Sequence, residues 1–300
     1  FSTYPDKTPL INSLAKFHGV STDNIAITDG SEMALKYIFE VFGKPGSNFV
    51  SVFPTFEMYG VYANMYGLNH KKIDVTKDFD IDVDQLLACI DENTSIVSLL
   101  NPNNPVGRPY TDEEFRLVAE KTKAMGTLLI IDEAYHYFYE GTQMSLLKEY
   151  DHIIVTRTFS KLFSIAACRI GYAISSAKII KMINNARPTF DTNAIALLFA
   201  NELINNKELT QKLIATELEG REYLMAELDK AGYEYVYQGG NYVTIKVQTD
   251  SKTVAKRLLI EKKISIKTSG YDILKNYIRV TTGDVKYMEL FIEALLELDK

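Results

Sequence analysis

An α/β fold is the architecture this sequence predicts: a mostly parallel sheet sandwiched by helices in a large domain, followed by a small α+β domain. Three observations carry that reading. First, the apolar runs Asn48–Phe53, Ser95–Leu100, Thr127–Ile131 and His152–Thr156 are rich in Val, Ile, Leu and Phe without strict alternation, the pattern of strands buried on both faces. Second, a helix is signalled between the second and third runs. Thr111-Asp112-Glu113-Glu114 is a capping-box pattern, Phe115, Val118 and Ala119 form an apolar face, and Gly126 ends it. Strand, helix and strand in that order make a βαβ unit, whose strands run parallel. Third, the pattern changes after a long helical stretch from about residue 193 to 230, with Leu197, Leu198, Leu203, Leu213, Leu218 and Leu224 among its apolar residues.

The later elements follow in turn. Val243, Ile245 and Val247 alternate after Gly239-Gly240, as a half-buried strand does. A helix is expected over Thr253–Glu261, strands near Ile264–Ile266 and Tyr277–Val280, and a last helix over Val285–Leu298 with Met288, Phe291, Ile292 and Leu295 on one face. The expected division is 1–12 as the remnant of an N-terminal arm, 13–205 as the large domain, and 206–300 as a linking helix with the small domain. The chain starts at Phe1 rather than Met, in a segment that reads as the middle of something.

Composition narrows the function. With 300 residues the chain can bury a sizeable core, and 46% hydrophobic with 24% charged residues is ordinary for a globular protein. A formal net charge of -6 gives no support to a nucleic-acid partner. No apolar run is long enough to span a bilayer, and no signal peptide is expected. Cys89 and Cys168 are too few for a disulfide framework, which reads as a reducing cytoplasm. His18, His70, His136 and His152 lack ligand spacing, so no metal site is expected. Glycine-rich dinucleotide and P-loop fingerprints are absent, against an oxidoreductase or ATP reading.

The chemistry gathers after the apolar runs. In open parallel sheets, ligands bind beyond the carboxyl ends of the strands. Those ends carry Pro54-Thr55-Phe56, the Asn101–Pro105 segment, Asp132-Glu133-Ala134-Tyr135 and Thr158-Phe159-Ser160-Lys161. An aromatic ring, an amide, a carboxylate, a phenol and an amine at one edge suit pyridoxal phosphate. Its aldehyde needs a lysine, Lys161; its ring nitrogen needs a buried carboxylate, Asp132. Asn104 and Tyr135 supply donors for its phenolic oxygen, and Phe56 a ring to stack. For the phosphate there are Gly30, Ser31 and Glu32 at the start of a helical pattern, with Thr158, Ser160 and Arg169. Each feature alone is ordinary: Asn-Pro-x-Gly is a turn, Gly30-Ser31 a helix cap, and Phe56 and Tyr59 core aromatics. Their common place at strand ends makes the joint reading.

Asn104-Pro105-Val106-Gly107, Asp132-Glu133-Ala134-Tyr135, and Ser160-Lys161 with Arg169 further on resemble the class I/II aminotransferases of pyridoxal-phosphate fold type I. Tyr4-Pro5-Asp6, the Phe53–Tyr59 segment and Thr158-Phe159-Ser160-Lys161 are most similar to the histidinol-phosphate aminotransferase branch, and the likeness covers essentially the whole chain. It implies Lys161, Asp132 and Tyr135 as catalytic residues, and Arg279, Lys267 and Asn241 as substrate-binding ones. It implies that Tyr4 reaches the cofactor phosphate of a neighbouring subunit in a homodimer, and that an N-terminal arm precedes Tyr4. The implied reaction is ping-pong transfer of an amino group from a donor such as glutamate to a small phosphorylated keto or aldehyde acceptor. Three departures bear on substrate: Lys267-Thr268 where the branch has Arg-Asp, Ala166-Ala167-Cys168 where Ala-Gly-Leu is usual, and Glu32-Met33 where Asp-Glu is common. A pyridoxal-phosphate decarboxylase of a phosphorylated amino acid shares these motifs and stays open as an alternative. So does a non-catalytic regulatory relative, although such a protein should lack Lys161 or Asp132.

Overall fold

The computed structural model describes residues 2–300 and divides into two compact units, the second running from Gln211 to Lys300. The first unit is built on a sheet of β1 (Ile25–Thr28), β2 (Asn48–Phe53), β3 (Asn69–Asp74), β4 (Thr94–Leu100), β5 (Leu128–Asp132), β6 (Ile153–Thr158) and β7 (Gly171–Ser175). Its spatial order is β1-β7-β6-β5-β4-β2-β3. The pairs from β3 to β6 are parallel, whereas β7 is antiparallel to both β6 and β1, so β7 alone runs against the rest. Every residue of β4, β5, β6 and β7 is buried, which requires cover on both faces of the sheet.

That cover comes from helices of this unit: α1 (Thr8–His18), α2 (Ser31–Phe42), α3 (Glu57–Met65), α4 (Val83–Ala88), α5 (Asp112–Met125), α6 (Ala177–Ala186) and α7 (Ala194–Asn205). The capping box of α5 forms as its sequence requires. Thr111 Oγ1 accepts from the Glu114 N–H at 3.2 Å, the Glu114 carboxylate accepts from the Thr111 N–H at 2.8 Å, and Gly126 closes the helix in the left-handed region. The helical stretch expected over 193–230 breaks at Asn206 into α7 and α8 (Lys207–Ala231).

Beyond α8 come β8 (Tyr235–Val236), β9 (Tyr242–Lys246), α9 (Ser251–Lys262), β10 (Lys267–Thr268), β11 (Tyr277–Thr281) and α10 (Val285–Leu298). These strands form an antiparallel sheet in the order β10-β11-β9-β8. Leu224, Leu228, Val243, Ile245, Val254, Leu258, Ile278, Phe291 and Leu295 belong to one core here. The strand expected at Ile264–Ile266 is a correction: the chain there is not paired, and pairing begins only at Lys267. Lys263 takes a left-handed turn that ends α9, and the Ile264 N–H bonds back to Leu258 O, so Ile264 and Ile266 pack onto the core before a strand can start.

Candidate active site

Because β1, β2, β4, β5 and β6 run the same way, the segments that follow them open along one edge of the sheet. The reversed β7 begins at that edge, with Gly171 paired to both Thr28 and Thr158, and this brings Arg169 there as well. A cavity of about 180 Å³ lies at the edge. Gly30, Ser31, Glu32, Phe56, Asn104, Asp132, Tyr135, Thr158, Ser160, Lys161 and Arg169 line it, together with Leu100 and Ala134. Sequence reasoning missed those last two, since neither side chain carries a chemical signal. Tyr4 does not line this cavity; it is exposed and stacks on Phe190 with ring centroids 4.1 Å apart.

One end of the cavity is built for an anion. Gly30 caps α2 without a side-chain hydrogen bond, so the first-turn N–H groups are left for another acceptor. Gly30 has φ 81, and a Cβ placed on it would come within 2.7 Å of Arg169 Nη2. Only glycine fits both demands. A Cβ on Gly171 would come within 2.3 Å of the Ser31 backbone nitrogen, so a second glycine lets β7 pass behind the same loop. Arg169 itself takes a left-handed backbone, φ 51, rare for a residue with a side chain. Its guanidinium stands 3.7 Å from Glu32, and Thr158 Oγ1 bonds Ser160 Oγ at 3.0 Å.

At the other end are the acid and the amine. Asp132 is buried at the end of β5; Tyr59 donates to its Oδ2 at 2.9 Å and the Ala134 N–H to its Oδ1 at 3.2 Å. Burial pushes its carboxyl up to about 6, while the Tyr59 hydrogen bond and the charge of Lys161 pull the other way. Lys161 Nζ lies 5.1 Å from the centre of the Tyr135 ring, and Asn104 Nδ2 donates to the Tyr135 hydroxyl at 2.7 Å. Behind this edge, His18 bonds the Tyr172 hydroxyl at 3.1 Å and is held down to about 3 by burial and by the Arg157 charge. His70 meets Ser51, His136 the Glu133 carbonyl and His152 Thr122, so each histidine serves the interior.

The second unit holds the other candidates. Lys267 on β10 and Arg279 on β11 are direct cross-strand partners, and both line a cavity with Ile264, Ile266, Tyr287 and Leu290. The Arg279 guanidinium lies 5.1 Å from the centre of the Tyr242 ring. Asn241 does not line that cavity; its carbonyl accepts from the Thr282 N–H at 2.9 Å.

The donor set of the first cavity fits pyridoxal phosphate: an amine, a buried carboxylate, a phenol–amide pair, an aromatic ring, and an anion cup that a Cβ on Gly30 would fill. Comparison with known proteins agrees. A family model described as aminotransferase class I and II matches residues 2–295. The histidinol-phosphate aminotransferase of Flavobacterium johnsoniae is 32% identical over 97% of this chain and 84% of its own length. The histidinol-phosphate aminotransferase of Sinorhizobium meliloti, solved in complex with pyridoxal-5'-phosphate, superposes with a TM-score of 0.88 at 24% identity, covering 99% of this chain and 83% of that one. The L-threonine-O-3-phosphate decarboxylase of Porphyromonas gingivalis shares the fold, with a TM-score of 0.82 at 23% identity over 98% of this chain and 89% of that one. The chain belongs to the class I and II aminotransferase family and is a pyridoxal-phosphate-dependent transaminase.

Proposed function

We propose that this transaminase works by a ping-pong route, taking an amino group from a donor such as glutamate and passing it to a small phosphorylated keto or aldehyde acceptor, as a histidinol-phosphate aminotransferase would. The observation that carries the proposal is the single cavity joining Lys161, Asp132 and the Gly30–Arg169 anion cup. When bound, pyridoxal phosphate supplies an aldehyde and an electron-withdrawing ring. In this reading Lys161 meets the aldehyde and moves the proton at the substrate Cα. Asp132 accepts from the ring nitrogen, Asn104 and Tyr135 face the phenolic oxygen, and Phe56 covers the ring. Ser31, Thr158, Ser160 and Arg169 hold the phosphate, with Glu32 as the ion-pair partner of Arg169.

Lys267, Arg279 and Asn241 are proposed to take the anionic groups of the substrate. The two side chains of Lys267 and Arg279 stand next to each other on paired strands and line one cavity, so a single anion could meet both charges. Lysine at 267 keeps the charge of the more usual arginine and loses its bidentate fork. The proposal extends to a homodimer in which Tyr4 meets the neighbour's phosphate, and to a cytoplasmic setting, which the free Cys89 and Cys168 suit. No helix among the described residues is long and apolar enough to cross a membrane. The domain division proposed is 13–205 and 206–300, with 1–12 belonging to an N-terminal arm.

The test mixes the holoenzyme with glutamate and a panel of phosphorylated and unphosphorylated ketones. Amino transfer with a preference for phosphorylated acceptors is expected, and Lys161→Ala should lose both turnover and the visible band of the bound cofactor. A preference for unphosphorylated acceptors would remove the phosphorylated substrate. Carbon dioxide release without transfer would assign a decarboxylase, and wild-type turnover by Lys161→Ala would remove the lysine from the mechanism.

A further inference from the structure

Tyr59 is wholly buried, and by sequence it is a core aromatic. Its ring does pack as one, meeting Phe49 at 5.9 Å and 72° and Phe56 at 5.7 Å and 88°. The hydroxyl has another task, donating to Asp132 Oδ2 at 2.9 Å. The other oxygen of Asp132 is held by the Ala134 N–H at 3.2 Å, so each carboxylate oxygen has its own donor and a turn of the group would break both bonds. The Thr156 side chain also stabilises the charged form of Asp132; a carboxylate has about four acceptor sites, so it can still accept from the cavity. Phe56 is the N-cap of α3 and Tyr59 lies one helical turn later. One helix start therefore sets both a ring that lines the cavity and the donor behind the acid.

We propose that Tyr59 is a positioning residue: its hydroxyl fixes Asp132 so that the carboxylate faces the protonated ring nitrogen of the cofactor. The proposal rests on the reading of Asp132 given above. It goes further in assigning the preference for a ring nitrogen to a pair of residues, one of which never touches the cavity. Tyr59 does not meet the cofactor; it acts through Asp132. Burial keeps its phenol far above the usual range, so it remains a donor at every working pH.

The experiment measures dissociation constants by absorbance titration of the cofactor-free protein. The probes are pyridoxal phosphate and its 1-deaza analogue, which has carbon in place of the ring nitrogen and keeps the aldehyde, phenol and phosphate. Wild type should prefer the natural cofactor. Tyr59→Phe should reduce that preference about tenfold, the loss falling on the natural cofactor alone, as removal of one hydrogen bond to a charged group implies. Replacing Tyr59 with 4-aminophenylalanine keeps the shape and a weaker donor. It should give an intermediate preference, and it serves if Tyr59→Phe does not fold. Equal weakening toward both probes would make Tyr59 merely structural and overturn the proposal; so would an unchanged preference in either variant. Absence of any preference in wild type would overturn the Asp132 reading itself, a failure distinct from that of Tyr59.

Discussion

A carboxylate held in the interior costs stability, and Asp132 is such a group, its burial only partly offset by the Tyr59 hydrogen bond and the charge of Lys161. Burial raises its carboxyl from 3.8 to about 6. The folded state therefore binds this proton more tightly than the unfolded state. Its contribution to stability is fully present below the unfolded value and is lost as pH rises through about 6, a swing of ~3 kcal/mol. Asp132→Asn does not titrate. In urea unfolding of the cofactor-free proteins, its stability relative to wild type should rise by ~3 kcal/mol between pH 3 and pH 7. Parallel pH profiles would show that Asp132 is not strained. A protonated ring nitrogen, as proposed beside Asp132, would offset the same cost, and on that proposal the strain favours cofactor binding. At this scale the cavity residues were legible because parallel strands end together, and a motif after each apolar run has to reach the same edge. Tyr59 was not legible. A buried ring with one polar tip reads as core until the fold shows what the tip touches. Leu100 and Ala134 were silent for a simpler reason, having no group that chemistry would single out.

The elements that carry these residues are fixed by a pair the sequence left unremarked. Glu133 follows Asp132 and Arg157 precedes Thr158, so each is adjacent in sequence to a cavity residue. Arg157 Nε and Nη2 donate to Glu133 Oε2 at 2.9 and 2.7 Å, and both side chains are buried. The Gln143 N–H adds a bond to Glu133 Oε1 at 2.6 Å and Thr142 bonds both carboxylate oxygens at 3.0 Å, tying the following loop to the end of β5. Removing one partner strands a buried charge, which costs about 3–5 kcal/mol. Glu133→Gln should therefore lower the denaturation midpoint sharply, whereas Glu133→Leu with Arg157→Met should cost much less than the sum of the singles. Additive losses would mean that the ion pair is not the joint between β5 and β6. Strand existence was legible where strands are buried on both faces, as in β2, β4, β5 and β6. The edge strand β3, Asn-His-Lys-Lys-Ile-Asp, is mostly polar and offers no such pattern. The reversal of β7 is a property of pairing rather than composition, and only the fold explains how Arg169 arrives beside Gly30.

At the scale of the whole molecule, the first unit exposes several large apolar side chains. On α7, Ile195, Leu198 and Phe199 are 48%, 61% and 49% exposed, and Phe190 and Tyr4 add two stacked rings, 49% and 75% exposed. Clustered exposure of this kind marks an interaction surface, and a two-fold dimer brings identical patches together. The proposed homodimer accordingly predicts a sedimentation mass of twice 34.0 kDa, and Leu198→Glu should reduce it to that of one chain. Complementation goes further, because it asks whether Tyr4 serves the neighbour's site. Lys161→Ala dimers should be inactive, and Tyr4→Ala dimers should bind the cofactor weakly. A mixed dimer combines Lys161 from the Tyr4→Ala chain with Tyr4 from the Lys161→Ala chain, and so regains one intact site. Equal amounts mixed at random make half of the dimers mixed, each with one working site of two, which restores roughly a quarter of wild-type turnover at limiting cofactor. If Tyr4 serves only its own chain, mixing restores nothing beyond the activity of the Tyr4→Ala protein already present. Recovery that tracks the population of mixed dimers would place the tyrosine across the two-fold axis; its absence would remove the shared site while leaving the dimer itself to be judged by mass.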